Sequence, residues 1–190
     1  MEILIIITIL FYMLSTVAYF TFLFIQKDFA QRIGYYLILA GFVCHTATIV
    51  FGFAKSGHLP VGNLRETLSL AGWAVAGGFL IFQYKFYLKI LGIFAAPTIS
   101  LIVVLATLVS SEPYQTTKIF KSFWLISHVM AIFFGEAFFT LAAGLGGLYL
   151  IQENAIKTKQ HRFFFKRLPS LDLLDSTGYA CIVVGFSLLT

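Results

Sequence analysis

A histidine lies inside one of the long apolar stretches of the chain, residues 121–151. His128 follows the residues that mark the start of this stretch, Lys121 and Trp124, by less than two turns of helix. A membrane span needs about 20 mostly apolar residues, and this stretch provides them from Phe123 onward. Because an ionisable group inside a span is costly unless a partner satisfies it, His128 is a candidate functional residue. The alternative is a histidine that is hydrogen-bonded to a neighbouring helix.

Two further histidines could act as ligands. His58 lies in a predicted outer loop, residues 55–67, and His45 lies near the middle of an earlier apolar segment. Neutral imidazole is a good iron ligand, and heme iron takes one or two such ligands. His58 and His128 could therefore face a common pocket, although a solvated loop histidine is an equally simple interpretation of His58. For His45, either a partner across the bundle or a cofactor would satisfy the ring.

One carboxylate also falls within an apolar segment. Glu136 lies eight residues after His128, which places the two side chains about 80° apart around a helix. They do not share one line, and Glu136 could instead pair with His45 or line a polar cavity. The aromatic residues that flank His128, namely Phe123, Trp124 and Phe134, could offer flat surface to a porphyrin or form an interfacial belt.

The composition is that of an integral membrane protein. Of the 190 residues, 59% are hydrophobic and 11% are charged, whereas a soluble domain is typically about 25% charged. The net charge of +5 does not indicate nucleic-acid binding, because the basic residues lie between apolar runs, as membrane topology requires.

Six apolar segments divide the chain. They span approximately residues 3–25, 33–53, 68–82, 86–108, 121–151 and 173–189. Backbone groups in lipid must be hydrogen-bonded within their own segment, and the runs are too long and too uniformly apolar for barrel strands. We therefore predict an all-α fold, a polytopic bundle of about six transmembrane helices that forms one domain over residues 1–190. The first segment lacks a basic n-region and a cleavage site, so we expect it to be retained as a span.

The basic residues in the loops predict the orientation. Nine Lys and Arg residues fall in the connections after spans one, three and five, against four in the connections after spans two and four. The richer side is cytoplasmic, so we expect the N-terminus to be outside and His128 to lie just inside the outer surface.

Several enzyme classes lack their signatures in this sequence. There is no phosphate-binding Gly loop, HExxH motif, serine nucleophile elbow or paired-carboxylate arrangement. The two cysteines, Cys44 and Cys181, lie in apolar runs without CxxC or metal-ligand spacing. We expect both to have structural roles.

Three sequence blocks resemble those of the cytochrome c assembly family, in particular its CcsA (ResC)-like members of the system II pathway. Residues 56–73 resemble the pattern G-H/R-x-P-x-x-N-x-x-E-(S/T)-L-x-x-x-x-W, residues 122–130 resemble W-L-x-x-H-V, and residues 173–190 resemble L-D-x-L-x-Y with its apolar continuation. The matching residues of the first and third blocks are Gly57, His58, Pro60, Asn63, Glu66, Thr67, Leu68, Trp73, Leu174, Asp175 and Tyr179. The blocks occur in the order found in the family.

This resemblance implies a membrane protein that handles heme. Such a protein presents heme b at the outer face for covalent attachment to the CxxCH motif of apocytochrome c, together with a CcsB/ResB-like membrane partner, as a component of a cytochrome c heme lyase. By the resemblance, His128 matches an external histidine that serves as an axial heme ligand, whereas no family role carries over to His58 or His45. The implied location is the bacterial inner (plasma) membrane, or the thylakoid membrane in a plastid.

Two departures from the family pattern bear on this expectation. The first departure is the tryptophan-rich segment of the family, which would follow soon after Thr190 and is missing from this sequence. We therefore expect the sequence to cover the N-terminal part of a family member. Glu136 stands where relatives often have Tyr. Two alternative functions stay open: a HemX-like protein that influences heme synthesis, and a transporter or scaffold subunit in which His45 and Glu136 form a polar pathway.

Overall fold

The chain folds into a bundle of long helices in the computed structural model, which describes residues 2–57, 61–86, 88–109, 123–158 and 168–190. The helices of the described part are α1 (Glu2–Ile25), α2 (Asp28–Ser56), α3 (Leu64–Phe86), α4 (Gly92–Leu108), α5 (Phe123–Lys157) and α6 (Leu171–Leu189), with a 3₁₀ turn (Lys89–Leu91) before α4. No strand occurs among these residues. All six helices are long and apolar enough to cross a membrane, which confirms the predicted all-α polytopic fold.

Several helices extend further than the apolar runs that predicted them, whereas α4 begins at Gly92, six residues after its predicted start. α3 begins four residues before its apolar run and α5 continues to Lys157. The backbone at these ends is still helical, but the side chains are polar and reach water. Hydropathy registers only the apolar part of each helix and therefore underestimates these two lengths.

Packing follows the order of the chain. α1 packs against α2 and α4, α3 packs against α4 and α5, and α6 packs mainly on α5. Asp28 at the start of α2 and Lys89 before α4 form an ion pair of 2.8 Å. The α1–α2 and α3–α4 connections therefore lie at the same end of the bundle, the end that the charge distribution predicts to be cytoplasmic.

Two glycines bring α5 and α6 together. A Cβ atom on either Gly135 or Gly185 would lie 3.0 Å from the backbone oxygen of the other. Small residues allow this close backbone approach, which is a main source of packing energy between helices in lipid. Because Leu189 also lies against Gly135, the first three turns of α5 extend past the part of α6 that is described.

Candidate functional site

His128 lies in the second turn of α5, on the part of this helix that extends past the described part of α6. Its side chain is exposed. No hydrogen bond or ion pair joins it to any residue that the structure describes. Among these residues the imidazole has no partner, and the alternative of a hydrogen bond to a neighbouring helix finds none within them.

Trp124 lies one turn before His128 on nearly the same face of α5. Residues four apart are neighbours on a helix surface, and Cα–Cβ bonds tilt toward the helix N-terminus, so the His128 side chain leans toward Trp124. The indole is 82% exposed. An exposed imidazole and an exposed indole therefore lie one helical turn apart on nearly the same face of α5.

The third aromatic residue near His128 has a different role. Phe134 contacts Trp73 of α3 edge to face, with ring centroids 5.5 Å apart. It packs α5 onto α3 and does not extend the open surface beside His128.

His45 is fully buried where α1, α2 and α3 meet. Its Nδ1 atom lies 3.4 Å from the hydroxyl of Tyr12, and its Nε2 atom lies 2.9 Å from the hydroxyl of Ser69. Both ring nitrogens have hydrogen-bond partners, as a buried polar side chain requires. In this arrangement the ring has no free nitrogen for an iron or a transported ligand.

Glu136 lies on the outer surface of α5, in the interior of the predicted span. Its carboxylate has no hydrogen bond or ion pair with any residue in the described ranges. The partners of His45 are Tyr12 and Ser69, so the structure does not bring Glu136 and His45 together as a pair.

The block at residues 56–73 builds the start of α3. His58 and Pro60 of this block lie outside the described residues. Asn63 precedes the helix, and its Oδ1 atom accepts a hydrogen bond from the Glu66 backbone at 2.9 Å. The Glu66 carboxylate accepts one from the Gly62 backbone at 2.9 Å. This reciprocal arrangement is a variant of the capping box, in which Glu66 accepts from Gly62, the residue before the N-cap, and it explains the spacing of Asn and Glu in the block.

The same block ends in a residue that joins three helices. Trp73 donates a hydrogen bond from Nε1 to the Thr46 hydroxyl of α2 at 2.8 Å. Its ring stacks on Phe42 with centroids 5.3 Å apart, and it also contacts Phe134 of α5. Sequence reasoning identified Trp73 as a motif residue but missed this role, as well as the roles of Tyr12 and Ser69. The available signal was that Tyr12, His45 and Ser69 are polar residues in three consecutive apolar segments, which could hydrogen-bond to one another.

The block on α6 divides between two faces. Leu174 and Thr177 are buried against the bundle, whereas Asp175 and Tyr179 are exposed. Within the described residues, no group of three or more His, Cys, Asp and Glu side chains could hold a metal ion. Heme differs from a bare metal ion in needing only one or two protein ligands.

The chain is similar to one protein family and to several individual proteins. The sequence model of a family described as cytochrome C assembly protein matches residues 61–190. Protein HemX of Brevibacillus brevis is 28% identical over 96% of the chain and 67% of its own length. The cytochrome c biogenesis protein CcsA of Guillardia theta is 29% identical over 97% of the chain and 68% of its own length. CcsA of Prochlorococcus marinus (strain MIT 9301) is 25% identical over 76% of the chain and 54% of its own length. No solved structure gives a significant match.

Proposed function

Because this multi-pass membrane protein belongs to the cytochrome c assembly family, whose role is in cytochrome c biogenesis, we propose that it holds heme b near the outer membrane surface and presents it to apocytochrome c. The observation that carries this proposal is the open imidazole of His128. A histidine near a membrane surface that has no partner in the described ranges is suited to an axial position on heme iron.

The described residues suggest how such a site would work. His128 would hold the iron through one ring nitrogen, and Trp124 would lie against the macrocycle. The cap at the start of α3 and the contacts of Trp73 hold α2 and α3 in place beside α5. His128, the proposed iron ligand, is therefore carried by a helix that packs on a fixed neighbour.

The protein's contribution to the reaction is positioning. Each thioether bond forms when a cysteine S–H adds across a heme vinyl group: the sulfur bonds to one carbon and the hydrogen to the other. No electrons leave or enter in this addition. Holding the vinyl groups beside the two thiols of a CxxCH motif makes the addition effectively unimolecular, which is a large rate advantage. The protein would thus act as part of a heme lyase.

The same proposal includes a partner and a location. We expect a CcsB/ResB-like membrane protein to complete the assembly. The membrane would be the plasma membrane of a bacterium or the thylakoid membrane of a plastid, with the N-terminus of α1 on the side where cytochromes mature.

Covalent cytochrome formation in cells tests this function. In the source organism, with the native gene replaced, we expect His128→Ala to abolish most heme-stained cytochrome c while the variant accumulates to the wild-type level. The matched control is His161→Ala, a histidine in the predicted connection after the fifth span and outside the described residues. Normal cytochrome c in the His128→Ala strain would contradict the proposal.

The similarity to HemX over nearly the whole chain supports a second candidate, a membrane protein that influences heme synthesis. The same strains distinguish the two functions. Under the first, total noncovalent heme stays normal when His128 is replaced and only covalent heme falls. Under the second, deletion of the gene changes total heme, and cytochrome c follows that change.

A further inference from the structure

A cavity opens at the opposite end of the bundle from His128. It has a volume of about 290 Å³ and lies between the start of α2 and the end of α3. Its walls come from Gln31, Arg32, Tyr35 and Tyr36 of α2, Gln83 and Tyr84 of α3, and Lys89. This volume is at the lower end of the range for small-molecule sites, roughly 300–1,000 Å³, so it suits a headgroup-sized ligand.

The charge of the cavity is positive. Lys89 is neutralised by Asp28 at 2.8 Å, whereas the Arg32 guanidinium forms no ion pair with any acidic residue that the structure describes. None of the residues that line the cavity is acidic. One net positive charge is left, which matches a ligand that carries one negative charge.

A buried acceptor also lines this cavity. The Gln83 side chain is only 6% exposed, and its Oε1 atom has no hydrogen-bond partner within the described part of the chain. A buried unsatisfied carbonyl is costly and calls for a donor. Rotation of the Gln83 amide turns this atom toward the cavity, where a hydroxyl or N–H group of a ligand can satisfy it.

The surroundings indicate that the ligand is amphiphilic. Tyr36 and Tyr84 at the rim are 63% and 75% exposed, and Tyr is enriched where a membrane meets water. We propose that this cavity binds the headgroup of an anionic phospholipid, a phosphodiester with free hydroxyls such as phosphatidylglycerol. The phosphate lies by Arg32, a headgroup hydroxyl donates to Gln83, and the acyl chains remain in the bilayer. A zwitterionic headgroup would bring a second cation beside Arg32, so phosphatidylethanolamine binds more weakly.

Lipid binding to the purified full chain tests this proposal. Native mass spectrometry and thermal unfolding are measured in phosphatidylcholine nanodiscs with and without added phosphatidylglycerol. We expect phosphatidylglycerol to bind and to raise the melting temperature, because it binds the folded state. Arg32→Gln and Gln83→Leu should each weaken its binding about tenfold. Lys85→Gln is the matched control, because Lys85 lies at the same end of α3 but does not line the cavity.

The two pocket variants also separate ligand binding from folding. Without phosphatidylglycerol, Gln83→Leu should melt no lower than wild type, since it removes a buried unsatisfied acceptor. Equal loss of binding in Lys85→Gln and Arg32→Gln would overturn the proposal by showing a general charge effect. If soluble glycerol 3-phosphate raised the melting temperature as much as phosphatidylglycerol does, the site would bind a free phosphate ester and the proposal of a lipid ligand would be wrong. Equal binding of phosphatidylethanolamine would overturn the choice of headgroup.

Discussion

At the scale of single residues, the histidines separate by whether their ring nitrogens have partners. His45 has a partner on each nitrogen and ties Tyr12 and Ser69 into a buried network. His128 has none among the described residues and lies open beside Trp124. Two histidines of similar hydropathic context thus have different surroundings, one enclosed and one exposed. The role of His128 as a heme ligand stays a prediction.

The buried network should stabilise the fold. Ser69→Ala leaves the His45 Nε2 atom without its partner, and hydrogen bonds between transmembrane helices contribute on the order of 1 kcal/mol. We expect a corresponding fall in the free energy of unfolding, measured by denaturant titration in detergent.

Ser127→Ala is the control for this measurement. Ser127 is exposed, and its hydroxyl donates to the Phe123 carbonyl within the same helix. Its replacement should leave the unfolding free energy within about 0.5 kcal/mol of wild type. A Ser69→Ala protein as stable as Ser127→Ala would show that the network does not support the fold.

At the scale of helices, contacts between small and polar residues join the bundle. The Ser15 hydroxyl of α1 donates to the Gly34 carbonyl of α2 at 2.9 Å, and the hydroxyls of Thr16 and Ser100 join α1 to α4 at 2.9 Å. Such interactions replace the hydrophobic driving force that is absent between helices in lipid.

Close approach predicts which glycines tolerate a side chain. A Cβ atom on Gly92 would overlap the Tyr19 ring, whereas one on Gly146 would meet nothing within 4 Å. Gly92→Ala should destabilise the bundle by about 1–3 kcal/mol through overpacking. Gly146→Ala should be neutral, or stabilising by up to about 1 kcal/mol, because Ala favours helix. Thermal unfolding followed by circular dichroism in detergent compares them, and equal effects would contradict the described α1–α4 packing.

The sequence predicted the helices well and their contacts poorly. Hydropathy identified all six spans because a span in lipid must be apolar and helical. The start of α3 was predicted at residue 68 because hydropathy registers apolar runs, and the Asn63–Glu66 cap that begins the helix is polar. The partners of His45 depend on which helices meet, and hydropathy carries no information about helix neighbours.

At the scale of the whole molecule, the bundle places His128 and the cavity at opposite ends and keeps His45 apart from Glu136. His128 lies toward one end, and the cavity beside Arg32 lies at the other. His45 is enclosed by α1, α2 and α3, whereas Glu136 faces outward from α5. His45 and Glu136 have no common partner among the described residues. A polar pathway through both side chains would therefore require the helices to rearrange.

Double-mutant cycles test that separation. His45→Ala and Glu136→Gln should change the unfolding free energy additively, within about 0.5 kcal/mol, because the two side chains have no common partner. The control cycle pairs His45→Ala with Ser69→Ala, whose side chains are hydrogen-bonded. This pair should show a coupling of at least about 0.5 kcal/mol. A coupling of the same size between His45 and Glu136 would favour a shared polar pathway.

The absorption spectrum of the detergent-purified chain tests the role of His128 most directly. With heme supplied during expression, we expect the wild type to show a Soret band that His128→Ala weakens, that His161→Ala retains, and that added imidazole restores in His128→Ala. Imidazole rescue separates loss of a ligand from loss of folding. A Soret band that His128→Ala leaves unchanged would contradict the assignment of His128 as a heme ligand.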